Sequence, residues 1–433
     1  MNNPVSVIGA GLAGCEAAFQ LAERGLPVHL YEMKPQRRQS AHKADTFAEL
    51  VCSNSLRSDR LQNGAGLMKE EMRRIGSIII NAADDTKVPA GGALAVDREG
   101  FTRLVTERIE AHPNITVVHD EVQTLPASPA IVATGPLTDG PMLLAIQELF
   151  GPELHFYDAA APVITAESIN MDKAFRASRY ERGSDYINCP MSRDEYFAFV
   201  HELVAAETAP LHEFETPRVF EGCMPVEVMA KRGERTLAFG PLKPVGLRDE
   251  KTGVRPFAVV QLRQDDAAGT LYNLVGFQTN LKFGEQRRVF GMIPGLENAE
   301  FVRYGVMHRN TFLPSPGKLN WRYGVIDKPG LYFAGQITGV EGYVESAGSG
   351  LVAGVSLARE LLGKDPVDFT SQTALGAMAH YVSEYVGADF QPMNINFGII
   401  ADLPGAPRNK IDRYTAIAER ALGVIDGIIA NKL

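Results

Sequence analysis

A glycine-rich turn near the start of the chain constrains its fold more than any other feature. The turn, GAGLAG at residues 9–14, follows an apolar segment at 4–8 that predicts a buried strand. Residues 12–24 predict a helix, and residues 27–32 predict a second strand that ends in Glu32. A strand, a glycine turn, a helix and a second strand predict one βαβ unit of a parallel sheet.

This kind of turn is typical of proteins that bind a dinucleotide. Glycine allows the tight turn, the close approach of the backbone to a pyrophosphate and the close packing of helix on strand. The start of the helix offers backbone N–H groups to the phosphates, and a terminal acid can accept hydrogen bonds from the ribose. A glycine turn in an ordinary α/β protein is the alternative interpretation. The predicted dinucleotide contacts are Gly9, Ala10, Gly11, Leu12, Ala13, Gly14 and Glu32.

Two later segments distinguish FAD from NAD. Residues 131–135, IVATG, resemble the strand end that two-domain FAD proteins place beside the adenylate half. Residues 331–336, LYFAGQ, resemble the segment beside the flavin, although many flavoproteins have Asp where this chain has Gln336. FAD is therefore the predicted cofactor, with further contacts from Thr134, Gly135, Gly335, Gln336 and Gly342.

The length of 433 residues predicts more than one lobe. The expected fold class is α/β. We expect a discontinuous, Rossmann-like FAD-binding domain at residues 1–160 and 325–433, interrupted by a mixed α+β insertion domain at residues 161–324. Within the insertion, alternating segments predict strands at Arg235–Phe239, Ala258–Leu262 and Leu271–Gly276.

Two further segments of the expected FAD-binding domain have less regular patterns. Residues 33–66 show little periodicity and predict a long loop. Residues 347–362 predict a helix that begins in glycine-rich turns.

The composition and the N-terminus predict a folded cytoplasmic protein. No basic segment precedes the first short apolar run, so a signal peptide is not expected. No apolar stretch approaches the roughly 20 residues that span a bilayer. The four cysteines have no C-x-x-C spacing, so neither a metal site nor a disulfide framework is expected.

Basic residues are concentrated in two places, although the net charge of −9 argues against a polyanionic partner. One interpretation is two solvated faces; the other is two groups that contact RNA phosphates. The first group consists of Lys34, Arg37, Arg38 and Lys43, and the second of Arg408, Lys410 and Arg413.

Five motifs give the chain a resemblance that covers essentially its whole length. They are CSNS at 52–55, FEGCMP at 220–225, MIPGL at 292–296, YGVMHRN at 304–310 and AGQITGVEGY at 334–343. The chain resembles the folate- and FAD-dependent tRNA (uracil-54-C5-)-methyltransferases, a bacterial family that forms ribothymidine in the T-loop. The flavoprotein that modifies wobble uridines has a similar last motif, and the motifs of Cys52 and Cys223 separate the two families.

The resemblance implies a reaction. Methylenetetrahydrofolate would supply the carbon, reduced FAD would carry the methylene and supply hydride, and NADPH or NADH would be the reductant. The T-arm of tRNA would be the substrate, with no obligate protein partner. Uracil C5 is a poor nucleophile until a thiolate adds to C6. Cys223 is the expected nucleophile, and Cys52 would remove the C5 proton or protect the active flavin species. Cys15 and Cys189 are interpreted as buried apolar residues.

The resemblance also implies folate contacts. His308 would stack on the pterin, and Arg287, together with Lys282, would meet the glutamate tail. Tyr343 and Glu341 would supply polar groups near the flavin, with simple packing as the alternative. Phe283 stands where relatives are expected to have Trp, so the hydrogen bond of an indole N–H is lost.

Three other functions remain possible from the residues alone. The first is that of the wobble-uridine flavoprotein, although the roughly 100 residues after position 330 leave little room for its long C-terminal helical domain. The second is FAD-dependent oxidation of a small metabolite, which would need no basic clusters. The third is a nucleotide-binding sensor, which leaves the two cysteine motifs unexplained.

Overall fold

The computed structural model describes residues 3–39, 41–152, 154–181, 183–210, 224–249, 253, 255–387 and 389–433. The side chains at positions 154, 156–158, 181, 308 and 432 are outside this description. Within the described ranges, none of the helices combines the length and apolarity that crossing a bilayer requires.

Helices and strands are interspersed in the first third of the chain, and only helices follow the last strand within the described residues. The helices are α1 Leu12–Glu23, α2 Gly64–Ile75, α3 Ile78–Asp85, α4 Arg98–Glu110, α5 Gly140–Phe150, α6 Arg193–Ala205, α7 Val226–Lys231, α8 Thr236–Phe239, α9 Phe283–Phe290, α10 Tyr343–Leu361, α11 Ala374–Glu384 and α12 Lys410–Lys432. The strands are β1 Val5–Ile8, β2 Val28–Glu32, β3 Ser55–Ser58, β4 Lys87–Val88, β5 Ala93–Val96, β6 Ile115–His119, β7 Ala130–Val132, β8 Leu154–Ala159, β9 Val163–Thr165, β10 Phe175–Arg176, β11 Tyr186–Met191, β12 Ala258–Gln264, β13 Leu271–Leu274, β14 Phe301–Arg303, β15 Met307–Phe312 and β16 Leu331–Phe333.

The first sheet is parallel and has the order β16-β7-β1-β2-β6. The predicted α/β class and its first βαβ unit are therefore confirmed. Helices α1 and α10 pack closely against each other. A Cβ atom at Gly350 would lie 2.2 Å from the carbonyl oxygen of Ala13, so only glycine permits this approach. The close packing brings the N-termini of both helices to the same end of the sheet.

A second sheet, antiparallel, has the order β10-β11-β12-β13-β9-β14. Its buried side chains form a hydrophobic core with α6, α7 and α9, and the members of this core fall between Ile164 and Leu296. The core of the first sheet draws its members from residues 5–150 and 313–428. Because the two cores draw on different parts of the chain, they support the domain division that the sequence predicts. The division remains a proposal.

The strand predicted at Arg235–Phe239 was wrong, because this segment forms the single turn of α8. Leu237 is buried whereas Phe239 is 79% exposed. In a strand these two side chains would share one face. An alternation over so few residues does not distinguish a strand from a helical turn.

Two predictions in the parallel domain need correction. The 33–66 segment is not one loop, because it contains β3 and the start of α2. Strand β3 is stabilised by its pairing with β5, a contact that local periodicity does not reveal. Helix α10 begins at Tyr343 rather than at residue 347. Residues 348–350 lie inside it, where Gly350 faces Ala13 of α1 and Gly348 faces Met68 of α2.

Candidate active site

A cavity of about 410 Å³ lies at the carboxyl ends of the parallel strands. Ligands of open α/β sheets bind at this edge. The structure brings nearly every predicted cofactor contact to its wall. The lining includes Gly9, Ala10, Gly11, Leu12, Ala13, Glu32, Thr134, Gly135, Gly335, Gln336 and Gly342. Gly14 is not part of the cavity wall, because it packs against the glycine turn. A Cβ atom at Gly14 would lie 1.8 Å from the carbonyl oxygen of Gly9.

The N-termini of α1 and α10 open into this cavity. Gly11 and Gly342 occupy their N-cap positions, and no described side chain caps either helix. A Cβ at Gly11 would meet no described atom within 4 Å, so the backbone there is open to a ligand. Two helix starts with unsatisfied N–H groups suit the pyrophosphate of a dinucleotide at one end and an electron-rich ring system at the other.

Glu32 is held in position at the end of β2. Its carboxylate accepts hydrogen bonds from the backbone N–H groups of Ala10, at 2.9 Å, and Lys34, at 3.0 Å. Each oxygen keeps lone-pair capacity after one such bond. The fixed carboxylate can therefore accept ribose hydroxyl groups, as the sequence predicts.

Cys52 lies on the wall of the same cavity. It is far from α10 in the sequence but contacts Tyr343, the first residue of that helix. Its sulfur is 2.9 Å from the hydroxyl oxygen of Tyr343. The backbone N–H groups of Cys52 and Ser53 donate to that same oxygen at 2.7 and 3.3 Å. The sequence interpretation placed Tyr343 among the folate contacts beside the flavin segment; in the structure it lines the first cavity, and its hydroxyl group contacts Cys52.

The direction of the Tyr343–Cys52 hydrogen bond follows from counting donors and acceptors. A phenol has one O–H donor and two lone pairs. Two N–H groups already point at the oxygen of Tyr343. Its O–H therefore donates to the sulfur of Cys52, an arrangement that favours a thiolate over a thiol. Burial, together with the nearby sulfur, raises the pKa of Tyr343 well above its usual value, so the phenol keeps this proton.

Guanidinium groups surround the segment that contains Cys52. Arg98 donates to the carbonyl oxygen of Leu50, and Arg303 donates to that of Val51 at 3.3 Å. Arg98 and the buried Arg263 both interact electrostatically with the thiol. Cations near a cysteine stabilise its thiolate. Burial lowers the pKa of Arg263. Burial also acts to lower the pKa of Arg98, but the carboxylate of Asp265 outweighs it, so the pKa of Arg98 is raised.

Two buried polar side chains fix the backbone after Cys52. The ammonium group of Lys69 donates to the carbonyl oxygens of residues 56, 57 and 58 at 2.8, 3.2 and 2.7 Å. Burial lowers the pKa of Lys69 to about 8. The Asn54 amide donates to the carbonyl oxygens of Val96 and Gln264, and its oxygen accepts from Arg263 at 3.0 Å. The position of the thiol is therefore set by contacts on both sides.

The predicted folate contacts are dispersed. Glu341 lines the first cavity and accepts a hydrogen bond from Gln336. The guanidinium of Arg287 lies over the ring of Tyr304, 5.4 Å from its centroid. His308 lies in β15, but its side chain is outside the described part, and Cys223 is outside it altogether.

A second cavity, of about 760 Å³, adjoins the first. Both are lined by residues 136–139, and the second is also lined by Lys282 and Phe283. Lys282 donates to Glu207 at 2.6 Å, and Phe283 stacks on Tyr304 with centroids 4.5 Å apart. A ligand that reaches from the first cavity past residues 136–139 would meet this pair.

The first basic group is largely neutralised or buried. Lys34 is 4% exposed, and its ammonium donates to the carbonyl oxygen of Thr46, so its predicted contact with RNA does not fit its position. Arg37 pairs with Glu121 and Asp139, and Arg38 pairs with Asp45. Lys43 is exposed. Arg408 and Lys410, from the second group, are exposed at the start of α12.

The other two described cysteines lie in the cores, as the sequence predicted. Burial raises the pKa of Cys15 well above its usual range and that of Cys189 to about 12. Cys15 interacts with one cation, Lys34, and with the carboxylates of Glu32 and Glu16, so neither thiol has the arginines that surround Cys52. The sequence interpretation missed Arg98, Arg263 and Asn54. An arginine next to the apolar residues of strand β12, AVVQLRQ, was a signal that could have indicated Arg263.

The chain is similar to known proteins over nearly its whole length. A family model described as "Glucose inhibited division protein A" matches residues 4–365. The methylenetetrahydrofolate--tRNA-(uracil-5-)-methyltransferase TrmFO of Bacillus licheniformis is 58% identical over 430 residues and 99% of both chains. The protein of the same name from Acetivibrio thermocellus is 60% identical over 430 residues and 99% of both chains. The structure of Aquifex aeolicus GidA in its form II crystal has a TM-score of 0.66 at 16% identity, over 98% of this chain and 73% of that one, which shows a shared fold. By the length and identity of these matches, the chain belongs to the TrmFO family of methylenetetrahydrofolate--tRNA-(uracil-5-)-methyltransferases, within the group that the GidA family model describes.

Proposed function

We propose that the chain methylates C5 of uracil 54 in the T-loop of tRNA, with methylenetetrahydrofolate as carbon donor. FAD is the resident cofactor and NADPH or NADH is the reductant. The names of the relatives support the folate donor and the tRNA uracil substrate. The glycine cradle and the position of Cys52 support the cofactor and the chemistry. The activity belongs in the cytoplasm, where tRNA is modified.

The observation that carries the proposal is that a dinucleotide cradle and a cysteine share one cavity. Gly11 and Glu32 lie at one part of its wall and Cys52 at another. An enzyme that oxidises a small metabolite with FAD has no general need for a thiol held among arginines. A transfer that must activate a pyrimidine ring and remove its C5 proton does need such groups.

The described residues fit FAD. The uncapped start of α1 would hold the pyrophosphate, Glu32 would hold the adenosine ribose, and the start of α10 would face the flavin ring. Held by these residues in its reduced form, FAD would supply a carrier for the folate methylene and the hydride that converts this methylene into a methyl group. The arginines near Cys52 would balance negative charge on the flavin and on the thiolate.

The two thiols divide the work on the uracil. The Cys223 thiolate adds to C6, and the ring electrons move to C5, which bonds to the methylene carbon. The Cys52 thiolate removes the C5 proton, and the electron pair of that bond breaks the bond between the methylene carbon and its carrier, which leaves an exocyclic methylene on C5 while Cys223 is still bonded to C6. Hydride adds to the exocyclic methylene, and the Cys223 thiolate leaves C6 as the C5–C6 double bond forms again. The hydroxyl group of Tyr343 donates a hydrogen bond to the Cys52 sulfur and so favours the thiolate, the form that can accept the C5 proton.

The second cavity supports a place for the folate tail. It adjoins the first along residues 136–139, and Lys282 on its wall offers a cation to the glutamate carboxylates. By resemblance, His308 would stack on the pterin. Arg287 keeps its ring contact with Tyr304 and is within the same helix, α9, as Phe283.

Carbon transfer from folate tests the function directly. Purified protein, NADPH and methylenetetrahydrofolate labelled in its methylene carbon are mixed with unmodified tRNA. We expect label on C5 of the T-loop uracil, located by nucleoside analysis and by fragment mapping. A matched tRNA with cytidine at position 54 should take up no label.

Other distributions of the label would contradict the proposal. Label at the wobble uridine would identify the activity of the other flavoprotein group. Flavin oxidation without transfer of label to RNA would favour a small-molecule oxidoreductase. A purified protein without flavin absorbance would remove the cofactor assignment.

Two glycines of the cradle should respond differently to alanine. Gly11→Ala places a methyl group in open space beside the expected phosphates, so flavin affinity should fall roughly 10- to 100-fold as hydrogen bonds to a charged group are lost. The stability of the flavin-free protein should not change. Gly14→Ala overlaps the oxygen of Gly9, so it should also destabilise the flavin-free protein by about 1–3 kcal/mol.

Flavin titration and urea denaturation of the flavin-free protein measure the two effects. Gly284→Ala is a matched control, because a Cβ there meets no described atom within 4 Å and the residue lies outside the cavity wall. Equal flavin affinity in the Gly11→Ala and Gly284→Ala variants would contradict the placement of the pyrophosphate.

A further inference from the structure

A basic and aromatic surface lies at the start of α12. Phe397 and Tyr414 stack with ring centroids 4.1 Å apart and an interplanar angle of 6°. The charged ends of Lys410 and Arg413 each lie 5.5 Å from the centroid of Tyr414. Arg408 is exposed just before the helix. We call these five residues the basic–aromatic patch.

The cations of this patch have no carboxylate partner in the described part of the chain. None of Arg408, Lys410 and Arg413 forms an ion pair there, although Asp412 lies between two of them in sequence. Arg37 and Arg38, in the other basic group, pair with acids. Two like charges at one ring repel each other, and a cation–π contact at an exposed site contributes only about 0.5–1 kcal/mol. An anion from another molecule would neutralise these cations and reduce their repulsion.

The patch is fixed close to the active-site cavity. Asn394 lines the cavity, and Phe397 follows three residues later. Arg420, further along α12, donates to the carbonyl oxygens of Ala401 and Gln372 at 2.7 and 3.2 Å.

A second contact ties α12 to the polypeptide near Cys52. The side chain of Gln62 donates to the hydroxyl of Thr415 at 3.0 Å, and α12 packs against α2. The patch is thus connected on two sides to segments that follow cavity-wall residues in the sequence, Arg57 on one side and Asn394 on the other.

We propose that the basic–aromatic patch binds phosphates of the tRNA at the rim of the cavity. This inference rests on the proposed function, because that function supplies a polyanion to this side of the molecule. Arg408, Lys410 and Arg413 would contact phosphates, and the Phe397–Tyr414 stack would hold the two helical cations in place. Such contacts position an RNA without reading its sequence. The first basic group, in which Lys34 is buried and Arg37 and Arg38 are paired with acids, has a smaller part in binding.

The test is the salt dependence of tRNA binding. Lys410→Ala/Arg413→Ala removes two exposed cations, and Arg408→Ala added to it removes a third. The logarithm of the binding constant falls with the logarithm of salt concentration, with a slope of about −0.7 to −0.9 for each phosphate neutralised. We expect the slope to shrink by about that amount for each cation removed. The KM for tRNA should rise at least about tenfold while kcat is retained, since neither residue touches the reacting atoms.

Arg103→Ala is the matched control, because Arg103 is an exposed helical arginine, 69% accessible, on α4. It should leave the slope and the KM unchanged. Flavin content and the urea midpoint verify folding of every variant, and all substituted side chains are exposed.

The outcomes separate this inference from the proposed function. If the unchanged protein labels tRNA but the double and triple variants bind it with an unchanged slope, the patch proposal is overturned and the function stands. If the unchanged protein binds tRNA with a slope that the variants reduce, yet no label is transferred, the patch is supported and the proposed function fails. If the patch variants lose no more tRNA affinity than Arg103→Ala does, the patch proposal is also overturned.

Discussion

Replacing Cys52 with alanine is expected to lower the rate of methyl transfer to tRNA by about 10²- to 10⁴-fold, the usual contribution of a general base. The physical reason is the environment of the sulfur, which accepts a hydrogen bond from Tyr343 and faces the guanidinium groups of Arg98 and Arg263. Single-turnover transfer of labelled methylene to tRNA measures the effect. Flavin should remain bound, because the cradle at residues 9–14 is untouched.

Two further variants make this prediction specific. Cys189→Ala removes a thiol buried in the second core and should leave the rate within a few fold of the unchanged protein. Tyr343→Phe removes the donor to the sulfur, and a hydrogen bond to a charged group contributes about 1.5–3 kcal/mol. Alkylation of Cys52 by iodoacetamide at pH 7 should then slow at least about tenfold. A Cys52→Ala protein as active as Cys189→Ala would refute the role of the thiol, and unchanged alkylation in Tyr343→Phe would refute the direction of the hydrogen bond.

Local sequence was sufficient to predict the parallel domain and its cradle. The strand of residues 5–8, the turn that follows and α1 are encoded within about twenty consecutive residues, where apolar spacing and glycine act directly on the backbone. Glu32 could be predicted for the same reason, because it ends the next strand. The glycines of α10 were recognised, but their place inside a helix depends on contact with α1, which local patterns do not encode.

The surroundings of the thiol could not be predicted in this way. Cys52 and Tyr343 are 291 positions apart, and Arg98 and Asp265 are 167 apart. Hydrophobic periodicity indicates which face of an element is buried, but it does not indicate which loops meet. The motif of Tyr343 indicated a position beside the flavin segment, but it did not indicate that the hydroxyl group of Tyr343 contacts Cys52. Only the buried arginine of β12 gave a local sign of this polar region.

The buried pair of Arg98 and Asp265 is expected to have the largest single effect on stability. Asp265→Ala should lower the free energy of unfolding by about 3–5 kcal/mol, the range for removing one partner of a buried ion pair. The guanidinium donates to both carboxylate oxygens at 2.9 and 3.1 Å, and the residues are only 7% and 4% exposed. Urea denaturation of the flavin-free protein, followed by circular dichroism, measures the change.

The size of this effect comes from the charge that is left behind. Without Asp265, Arg98 would remain buried and would be repelled by Arg263 and Arg303, which already interact with it unfavourably. Glu107→Ala is the control, because Glu107 and Arg103 form an exposed pair at 3.8 Å whose loss should cost at most about 0.5 kcal/mol.

The double variant Arg98→Met/Asp265→Leu should regain most of the lost stability, since an apolar pair replaces the ion pair without an orphaned charge. Equal stabilities of Asp265→Ala and Glu107→Ala would contradict the prediction. Because Arg98 belongs to the parallel domain and Asp265 follows the second sheet's strand β12, a confirmed loss would also identify this pair as a contact that joins the two cores beside the thiol.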